Sequence, residues 1–453
     1  MSLDKPRRAS KTSQDDGEAP GLAFCAGIKN VRRVGSPMMQ SRANLDVNED
    51  SIHYAGWRVA AAAFAGVMVS FAAIVPYTFS LFLEPLHQAF GWKREAMSGA
   101  FAVAAMTVAL VSPLIGLLLD RFPPRHILLP AILLFAASLA SLSGLGPSIG
   151  RLFLTYFLLG LAANGTAQFA YTRAVLTWFD RRRGLALAVI LTGSGTGSLL
   201  IPPLTQWMIS THGWRSAYQM LGGIALLGLP LTAWLVRNRP VYPLLMQAPI
   251  SSGGSAIKAA LASKAFWILA AIILLGAFSE NGLITNMSAI LAGHGVAPAF
   301  AALALSARGG AGIVSRLVVG HFLDRFSAQR IQTAILLISA MGIALLAYAS
   351  TPTTALAGGA LLGIGFGSEA DVAPYLLAQY FGRRHFALLY GLTWTAYAIG
   401  GATGPLTMGY LYDHAGGYDA RFIIAMAAVI LVAAGMSLLL RGKVQLGPVL
   451  VPD

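Results

Sequence analysis

Several charged side chains lie inside long apolar runs of this 453-residue chain. Arg308 and Arg316 share one run, whereas Glu280, Glu369 and Asp371 lie in two others. A charge in the middle of an apolar helix is costly unless it faces a cavity or a partner. A guanidinium group can hold a carboxylate through two parallel hydrogen bonds, and a buried carboxylate can take up a proton. The chemistry that these residues predict is therefore anion binding and proton transfer.

These residues also have a purely structural interpretation, in which the three acids form static ion pairs with Arg308, Arg316 and Arg173. Arg308 could line a cavity, or it could pair structurally with Glu280, because both residues lie toward the outer half of the membrane. The sequence favours neither interpretation over the other. Glu369 and Asp371 are two steps apart, about 200° around a helix, so they cannot share one face. Glu369 lies nearer the middle of its run. We expect Glu369 to be the proton-coupling residue, followed by Asp371 and Glu280.

Composition places the whole chain in a membrane. It is 56% hydrophobic and only 11% charged, with a mean hydropathy of +0.66, whereas a soluble chain carries about a quarter charged residues. The net charge of +14 would suggest nucleic acid in a soluble protein. Here the basic residues concentrate in loops such as Arg181–Arg183, at one end of the predicted spans. That bias predicts cytoplasmic termini and no nucleic-acid partner.

The apolar runs predict an all-α membrane protein with twelve transmembrane helices in two pseudo-symmetric six-helix bundles. The predicted spans are 57–83, 96–118, 127–146, 150–177, 185–210, 216–236, 265–292, 299–322, 331–350, 355–379, 386–410 and 421–440. The predicted domains are a disordered cytoplasmic tail (1–50), a first bundle (51–236), a cytoplasmic linker (237–264), a second bundle (265–441) and a cytoplasmic tail (442–453).

The two halves repeat in sequence. A glycine followed four residues later by Asp-Arg occurs twice, 204 positions apart; its members are Gly116, Asp120 and Arg121 in the first copy and Gly320, Asp324 and Arg325 in the second. The glycine-rich run 193–203 likewise recurs at 391–405. Two parallel six-helix halves around a midplane site are typical of a large group of secondary transporters.

The repeated GxxxDR pattern resembles the loop signature of the major facilitator superfamily, over about residues 55–440. The stretches GWRVAAAAF (56–64), FGWKREAMS (90–98) and GWRSAYQMLGG (213–223) resemble the monocarboxylate transporter and oxalate/formate antiporter group. The resemblance implies alternating access and a substrate-carboxylate arginine four residues before the motif glycine, which is the position of Arg316. The aspartate that monocarboxylate transporters carry one turn earlier is Gly312 here, so a proton site would lie elsewhere or be absent.

The resemblance also implies that the six residues of the repeated motif form gates. The glycine would let two helices approach closely, and the aspartate would pair with an arginine or a helix N-terminus of the neighbour. The alternative is a solvated turn that follows the charge bias.

Tyr77 stands where the related transporters carry a lysine, and its hydroxyl can donate to a carboxylate. The alternative for Tyr77 is an aromatic filler near the outer interface. Asn164 and Gln168 are weaker binding candidates.

These observations predict a monomeric secondary transporter of the bacterial inner (plasma) membrane. Its expected partners are a small organic anion, a proton or counter-anion, and the lipid bilayer. One alternative is a proton-driven exporter of a cationic or amphipathic compound, in which the acids hold the cation. Another is a transporter-like sensor that binds a ligand without moving it. The sequence carries neither a Cys/His cluster for zinc nor a phosphate-binding loop, so we expect no metal, no cofactor and no enzymatic activity.

Overall fold

The computed structural model describes residues 51, 53–166, 168–176, 178–179, 182–236, 261–323, 325–381 and 386–440. Several predicted site residues have a described backbone but no described side chain; these are Gly116, Asp120, Arg121, Gln168, Glu369 and Asp371. Asp324 lies outside the described residues, as do the predicted tails and most of the predicted linker. The predicted domain boundaries therefore stay predictions.

The described residues form helices and contain no strand. In chain order the helices are α1 Ala55–Met68, α2 Phe71–Phe90, α3 Arg94–Arg121, α4 Pro124–Ser141, α5 Ile149–Thr166, α6 Gln168–Leu176, α7 Arg183–Leu235, α8 Lys264–Ile284, α9 Met287–Gly293, α10 Pro298–Leu323, α11 Ala328–Ala347, α12 Pro352–Phe381, α13 Phe386–Ala415 and α14 Ala420–Leu439. Most predicted spans agree with these bounds to within a few residues.

Four glycines with positive φ mark turns at one end of the helices: Gly91 (70°), Gly213 (83°), Gly295 (79°) and Gly416 (73°). Residues with a side chain rarely adopt this conformation, so glycine is the natural residue there. Gly213 divides α7, whose 53 residues would extend about 80 Å as one rod. We call this end the outer end, because the charge bias predicts that it faces away from the cytoplasm.

Nine segments in the described part of the chain are long and apolar enough to cross a membrane. The protein is therefore a multi-pass integral membrane protein. One of the nine, Leu185–Leu235, contains the turn at Gly213, and another, Ala55–Phe90, joins α1 and α2. This count does not confirm the twelve predicted spans, which stay a prediction.

Small residues let helices of the same half pack closely, in the same way in both halves. A Cβ atom at Gly197 of α7 would overlap the carbonyl oxygen of Met68, at the end of α1. A Cβ atom at Gly404 of α13 would overlap the carbonyl oxygen of Phe278, in α8. Glycine at these positions brings the backbones into contact, as is common between membrane helices. The repeated glycine runs therefore have matching packing roles.

Each half has its own apolar core. One cluster of buried residues draws on 266–440 together with Leu81, and two others draw on 59–236 together with Ala289. The halves meet mainly along α7–α10 and α3–α13. Arg308 and Arg316 both belong to α10, so the fold places these two charged residues at the first of these contacts, between the two halves.

Candidate functional site

Arg308 of α10 is buried between the halves and is only 4% exposed. One guanidinium nitrogen donates to the carboxylate of Glu280 on α8, and the other terminal nitrogen donates to the hydroxyl of Tyr77 on α2. The guanidinium carbon also lies 5.0 Å from the centre of the Tyr77 ring. Three helices, one of them from the first half, thus meet at a single cation.

The local sequence explains how these groups come together. Pro76 precedes Tyr77 inside α2 and removes one backbone hydrogen bond, which loosens the helix there. A Cβ atom at Gly363 of α12 would overlap the carbonyl oxygen of Arg308, so α12 packs directly behind the arginine. Glu280 lies in the last turn or so of α8, which ends at Ile284. The arginine is therefore held from three sides by packing and by two polar partners.

The charges of the Arg308–Glu280 pair cancel, and the pair is removed from bulk water. The Glu280 side chain is 17% exposed, against 4% for Arg308. Breaking a buried ion pair by removing one partner leaves an uncompensated charge, which is strongly destabilising. A ligand that takes one partner away therefore leaves the other with an uncompensated charge. A ligand carboxylate could replace Glu280 on Arg308, so that the guanidinium keeps a negatively charged partner.

Arg316 lies two turns farther along α10, about 12 Å from Arg308 by helical rise. Its Nε donates to the carbonyl oxygen of Gly367 at 2.8 Å, and its Nη1 donates to that of Leu191 at 3.2 Å. Gly367 belongs to the second half and Leu191 to the first, so Arg316 also bridges the halves. Its predicted role as a carboxylate clamp stays a prediction.

Asn164 was also predicted to bind substrate, but its amide group bonds elsewhere, away from the contact of Arg308 with Glu280 and Tyr77. The amide nitrogen of Asn164 on α5 donates to the carbonyl oxygen of Val108 on α3, at 2.7 Å. That bond joins two helices of the first half, and it supports a packing role for Asn164. Gln168, Glu369 and Asp371 cannot be placed, because their side chains lie outside the described residues.

Gly320 is the glycine of the second copy of the gating motif. Gly320 is exposed, and a Cβ atom there would meet nothing within 4 Å among the described residues. The predicted close approach of two helices at Gly320 is therefore not seen among the described residues. Arg325 is exposed as well. The gating role of the motif stays a prediction.

Sequence reasoning missed two aromatic residues of α13. The rings of Trp394 and Tyr397 stack with centroids 4.8 Å apart and an angle of 12°, and both residues are half-buried. Tyr397 lies close enough to Arg308 to interact with it electrostatically. The available signal was a pair of aromatic residues at i and i+3 in the same span. Among the described residues, no group of His, Cys, Asp or Glu side chains could hold a metal ion.

The fold and these buried charges define a class of protein: a multi-pass membrane protein whose halves meet on ionisable groups. The Major Facilitator Superfamily model matches residues 60–290 and 269–449. The chain belongs to this superfamily, whose members are transporters rather than enzymes.

The curated relatives place the chain near the monocarboxylate group. It is 27% identical to mouse monocarboxylate transporter 11 over 392 residues, covering 83% of this chain and 85% of the relative. It is 28% identical to bovine monocarboxylate transporter 13 over 389 residues, covering 84% and 88%. The uncharacterised transporter YhjX of Escherichia coli is 25% identical over 338 residues, covering 74% and 83%.

A solved structure has the same fold. It is a bacterial homologue of the human lysosomal transporter Spinster, in an inward-facing and unoccupied conformation. The two chains superpose with a TM-score of 0.64 at 14% identity, and the match covers 85% of this chain and 96% of the other. Both sequence predictions, the superfamily and the resemblance to the monocarboxylate group, are confirmed.

Proposed function

We propose that this protein is a secondary active transporter that moves a small organic anion, a monocarboxylate-like compound, by alternating access. The anion would travel with a proton or exchange for another anion. The observation that carries the proposal is the guanidinium of Arg308, buried between the halves and held by Glu280 and Tyr77. The monocarboxylate names of two relatives support the same substrate class.

The contacts of Arg308 suggest how binding and proton uptake are linked. An arriving substrate carboxylate competes with Glu280 for the guanidinium, and the Tyr77 hydroxyl is in place to serve either carboxylate. Once displaced, Glu280 is a carboxylate without its cation in a poorly solvated site, and it takes up a proton. Arg316, about 12 Å farther along the same helix, provides a second cation on the path toward the inner end.

Counterflow in proteoliposomes tests the proposal. Vesicles that contain purified protein are loaded with one carboxylate, and the entry of labelled carboxylates or amines is then measured. We expect carboxylate exchange by the wild type and by Arg421→Lys, whose arginine is 88% exposed in the first turn of α14. We expect little exchange by Arg308→Lys, because an ammonium group lacks the bidentate fork of guanidinium.

The outcome that contradicts the proposal is exchange of amines without exchange of any carboxylate. Equal carboxylate exchange by Arg308→Lys and the wild type would contradict the role of Arg308. Binding of a carboxylate without any counterflow would instead identify a ligand sensor.

The Glu280–Arg308 contact also favours a second candidate function, the proton-driven export of a cationic compound. In that mechanism Arg308 is a fixed partner, and the transported cation competes with it for the Glu280 carboxylate. Glu280→Gln distinguishes the two mechanisms. Neutralising Glu280 should strengthen the binding of an anionic substrate, which competes with it for Arg308, and weaken the binding of a cationic one, which needs its carboxylate.

A further inference from the structure

A carboxylate of the second half caps a helix of the first half at the outer end. Asp413 lies near the end of α13, and its two oxygens accept from the backbone N–H groups of Arg94 (3.2 Å) and Glu95 (2.8 Å). These are the first two residues of α3. The residue at the N-cap position itself, Lys93, forms no side-chain capping bond. Asp413 thus supplies from the other half the acceptors that a helix N-terminus usually finds in its own chain segment.

The side chain of Arg94 adds a second contact between the halves at the same place. Its guanidinium lies 3.9 Å from the ring centre of Tyr412 and 5.7 Å from that of Tyr418, both from the second half. Its Nη2 donates to Glu84 at 2.8 Å, within the first half. The cation–π contacts cross between the halves, whereas the ion pair with Glu84 does not.

The backbones of α3 and α13 touch beside this cluster. A Cβ atom at Gly409 would lie 3.0 Å from the carbonyl oxygen of Arg94 and 2.8 Å from the hydroxyl of Ser98. Ser98 is completely buried. No solute can pass between the two helices at this level. The outer end is therefore closed along α3–α13.

The closed contact carries a cost of its own. Arg94 is only 4% exposed, and its Nε and Nη1 have no hydrogen-bond partner among the described residues. Buried donors without acceptors are unfavourable, and they regain water when the helices separate. The cap and the cation–π contacts that favour closure are thus partly offset, which suits a contact that must open repeatedly.

We propose that Asp413, Tyr412 and Arg94 form the outer gate of the transporter. This inference rests on the proposed function in one respect, since alternating access requires the outer end to open. When the gate opens, the Asp413 cap and the cation–π contacts break, while Arg94 keeps its bond to Glu84. A substrate on the outer side then gains access to the space between the halves.

Thiol labelling measures the gate without any substrate. Cys25 is the single cysteine of the chain, so Cys25→Ser with Ser98→Cys gives one reporter in the α3–α13 contact. A membrane-impermeant maleimide is added to intact cells and, separately, to inside-out vesicles. Loss of an N-cap shifts a helix equilibrium about 2- to 30-fold, so Asp413→Ala should raise the labelling rate from the outer side by about that factor.

The chain provides a matched control for the loss of a cap. Asp419 caps α14 within its own half, accepting from the backbone N–H of Arg421 at 2.8 Å. Asp419→Ala removes a cap in a nearby loop without touching the α3–α13 contact. We expect its labelling rate to equal that of the parent. A rise equal to that of Asp413→Ala would mean general loosening and would overturn the gate.

A second pair of variants tests the aromatic contact and keeps the test valid if Asp413→Ala does not fold. Tyr412→Phe keeps the ring face over Arg94, whereas Tyr412→Leu replaces the ring with an aliphatic side chain. We expect faster labelling for Tyr412→Leu and parental labelling for Tyr412→Phe. Parental rates for both Tyr412→Leu and any folded Asp413→Ala protein would refute the proposal. Because the readout needs no substrate, failure of the carboxylate assays would leave this result standing.

Discussion

Glu280→Gln is the substitution that tests the proposed site most directly. It removes the negative charge opposite Arg308 but keeps the shape of the side chain and one acceptor oxygen. In the wild type a substrate carboxylate must displace Glu280 from the guanidinium. Glutamine resembles the protonated form of Glu280 and competes more weakly. The variant should therefore bind an anionic substrate more tightly than the wild type does.

The size of the effect follows from the contact that is weakened. Hydrogen bonds to charged groups contribute about 1.5–3 kcal/mol; the wild-type bond, with both partners charged, lies toward the upper end of this range, and the bond from the guanidinium to a neutral amide lies at the lower end. The difference, roughly 1–1.5 kcal/mol, corresponds to an affinity about five- to twelvefold higher. Folding stability should fall, because Arg308 loses its counter-charge in a buried position. The retained amide oxygen should keep this loss below the roughly 3–5 kcal/mol of a fully broken buried pair.

Three measurements on reconstituted protein check this prediction. Thermal shift against carboxylate concentration gives the affinity, since a ligand at free concentration L that binds only the folded state stabilises it by RT ln(1 + L/Kd). Uptake under an imposed pH gradient gives the coupling, and exchange at equal pH gives the turnover that needs no proton. We expect tighter binding, no response to the pH gradient and retained exchange. Asp419→Asn is the control, because it weakens an exposed Asp–Arg pair away from the site.

Two results would count against the reasoning. If folded Glu280→Gln binds carboxylates no more tightly than the wild type, Glu280 does not compete with the substrate for Arg308. If the variant keeps wild-type accumulation under a pH gradient, the coupling residue is another acid, and Glu369 or Asp371 takes its place. A loss of affinity for amines in the same variant would support the cation exporter instead.

Four further substitutions have defined expected outcomes. Tyr77→Phe removes the hydroxyl that accepts from Arg308, and carboxylate affinity in the thermal-shift assay should fall about two- to tenfold. Arg316→Lys should weaken the carboxylate affinity about ten- to hundredfold if Arg316 is a clamp, and unchanged affinity would exclude that role. Gly363→Ala should reduce the melting temperature, because its Cβ would overlap the Arg308 carbonyl oxygen, whereas Gly293→Ala, with open space around it, should not. Asp324→Asn should change cysteine accessibility on the two sides of the membrane if the inner motif is a latch, and unchanged accessibility would make it a solvated turn.

The helix bounds were the most predictable feature of the fold. A bilayer requires apolar runs of about 20 residues, and such runs can be read without knowing their neighbours. The spans predicted at 299–322 and 421–440 correspond to Pro298–Leu323 and Ala420–Leu439. The spans predicted at 185–210 and 216–236 lie on either side of Gly213, whose non-helical backbone divides α7.

The site was predictable in its residue types but not in its pairing. Sequence left Arg308 with two equal interpretations, because the contact with Glu280 depends on how α8 is rotated relative to α10. Hydropathy does not determine that rotation. The bond between Asn164 and Val108 depends in the same way on the rotation of α5 against α3. An Asn in an apolar span marks a buried polar contact, but the sequence alone does not say whether its partner is a ligand or a neighbouring backbone.

The sequence also shows no sign of the outer contact formed by Asp413, Tyr412 and Arg94. Sequence pointed to the inner end, where Asp324 follows a repeated glycine and is expected to pair with an arginine or a helix N-terminus of the neighbour. The structure contains that kind of contact at the opposite end, between Asp413 and the start of α3. Residues 319 positions apart share no local pattern, so nothing in the sequence linked them.

Such a contact also constrains the energetics of alternating access. A transporter cycles only if neither end is closed much more strongly than the other. One bidentate cap is worth about 0.5–2 kcal/mol, and the cation–π contact of Arg94 adds about 1–2 kcal/mol when desolvated. The two donors of Arg94 that lack partners subtract a comparable amount. The polar contacts of this cluster therefore add only a small net free energy to the closure of the outer end. A substrate that releases Glu280 from Arg308 can change the balance between the two states by a similar amount.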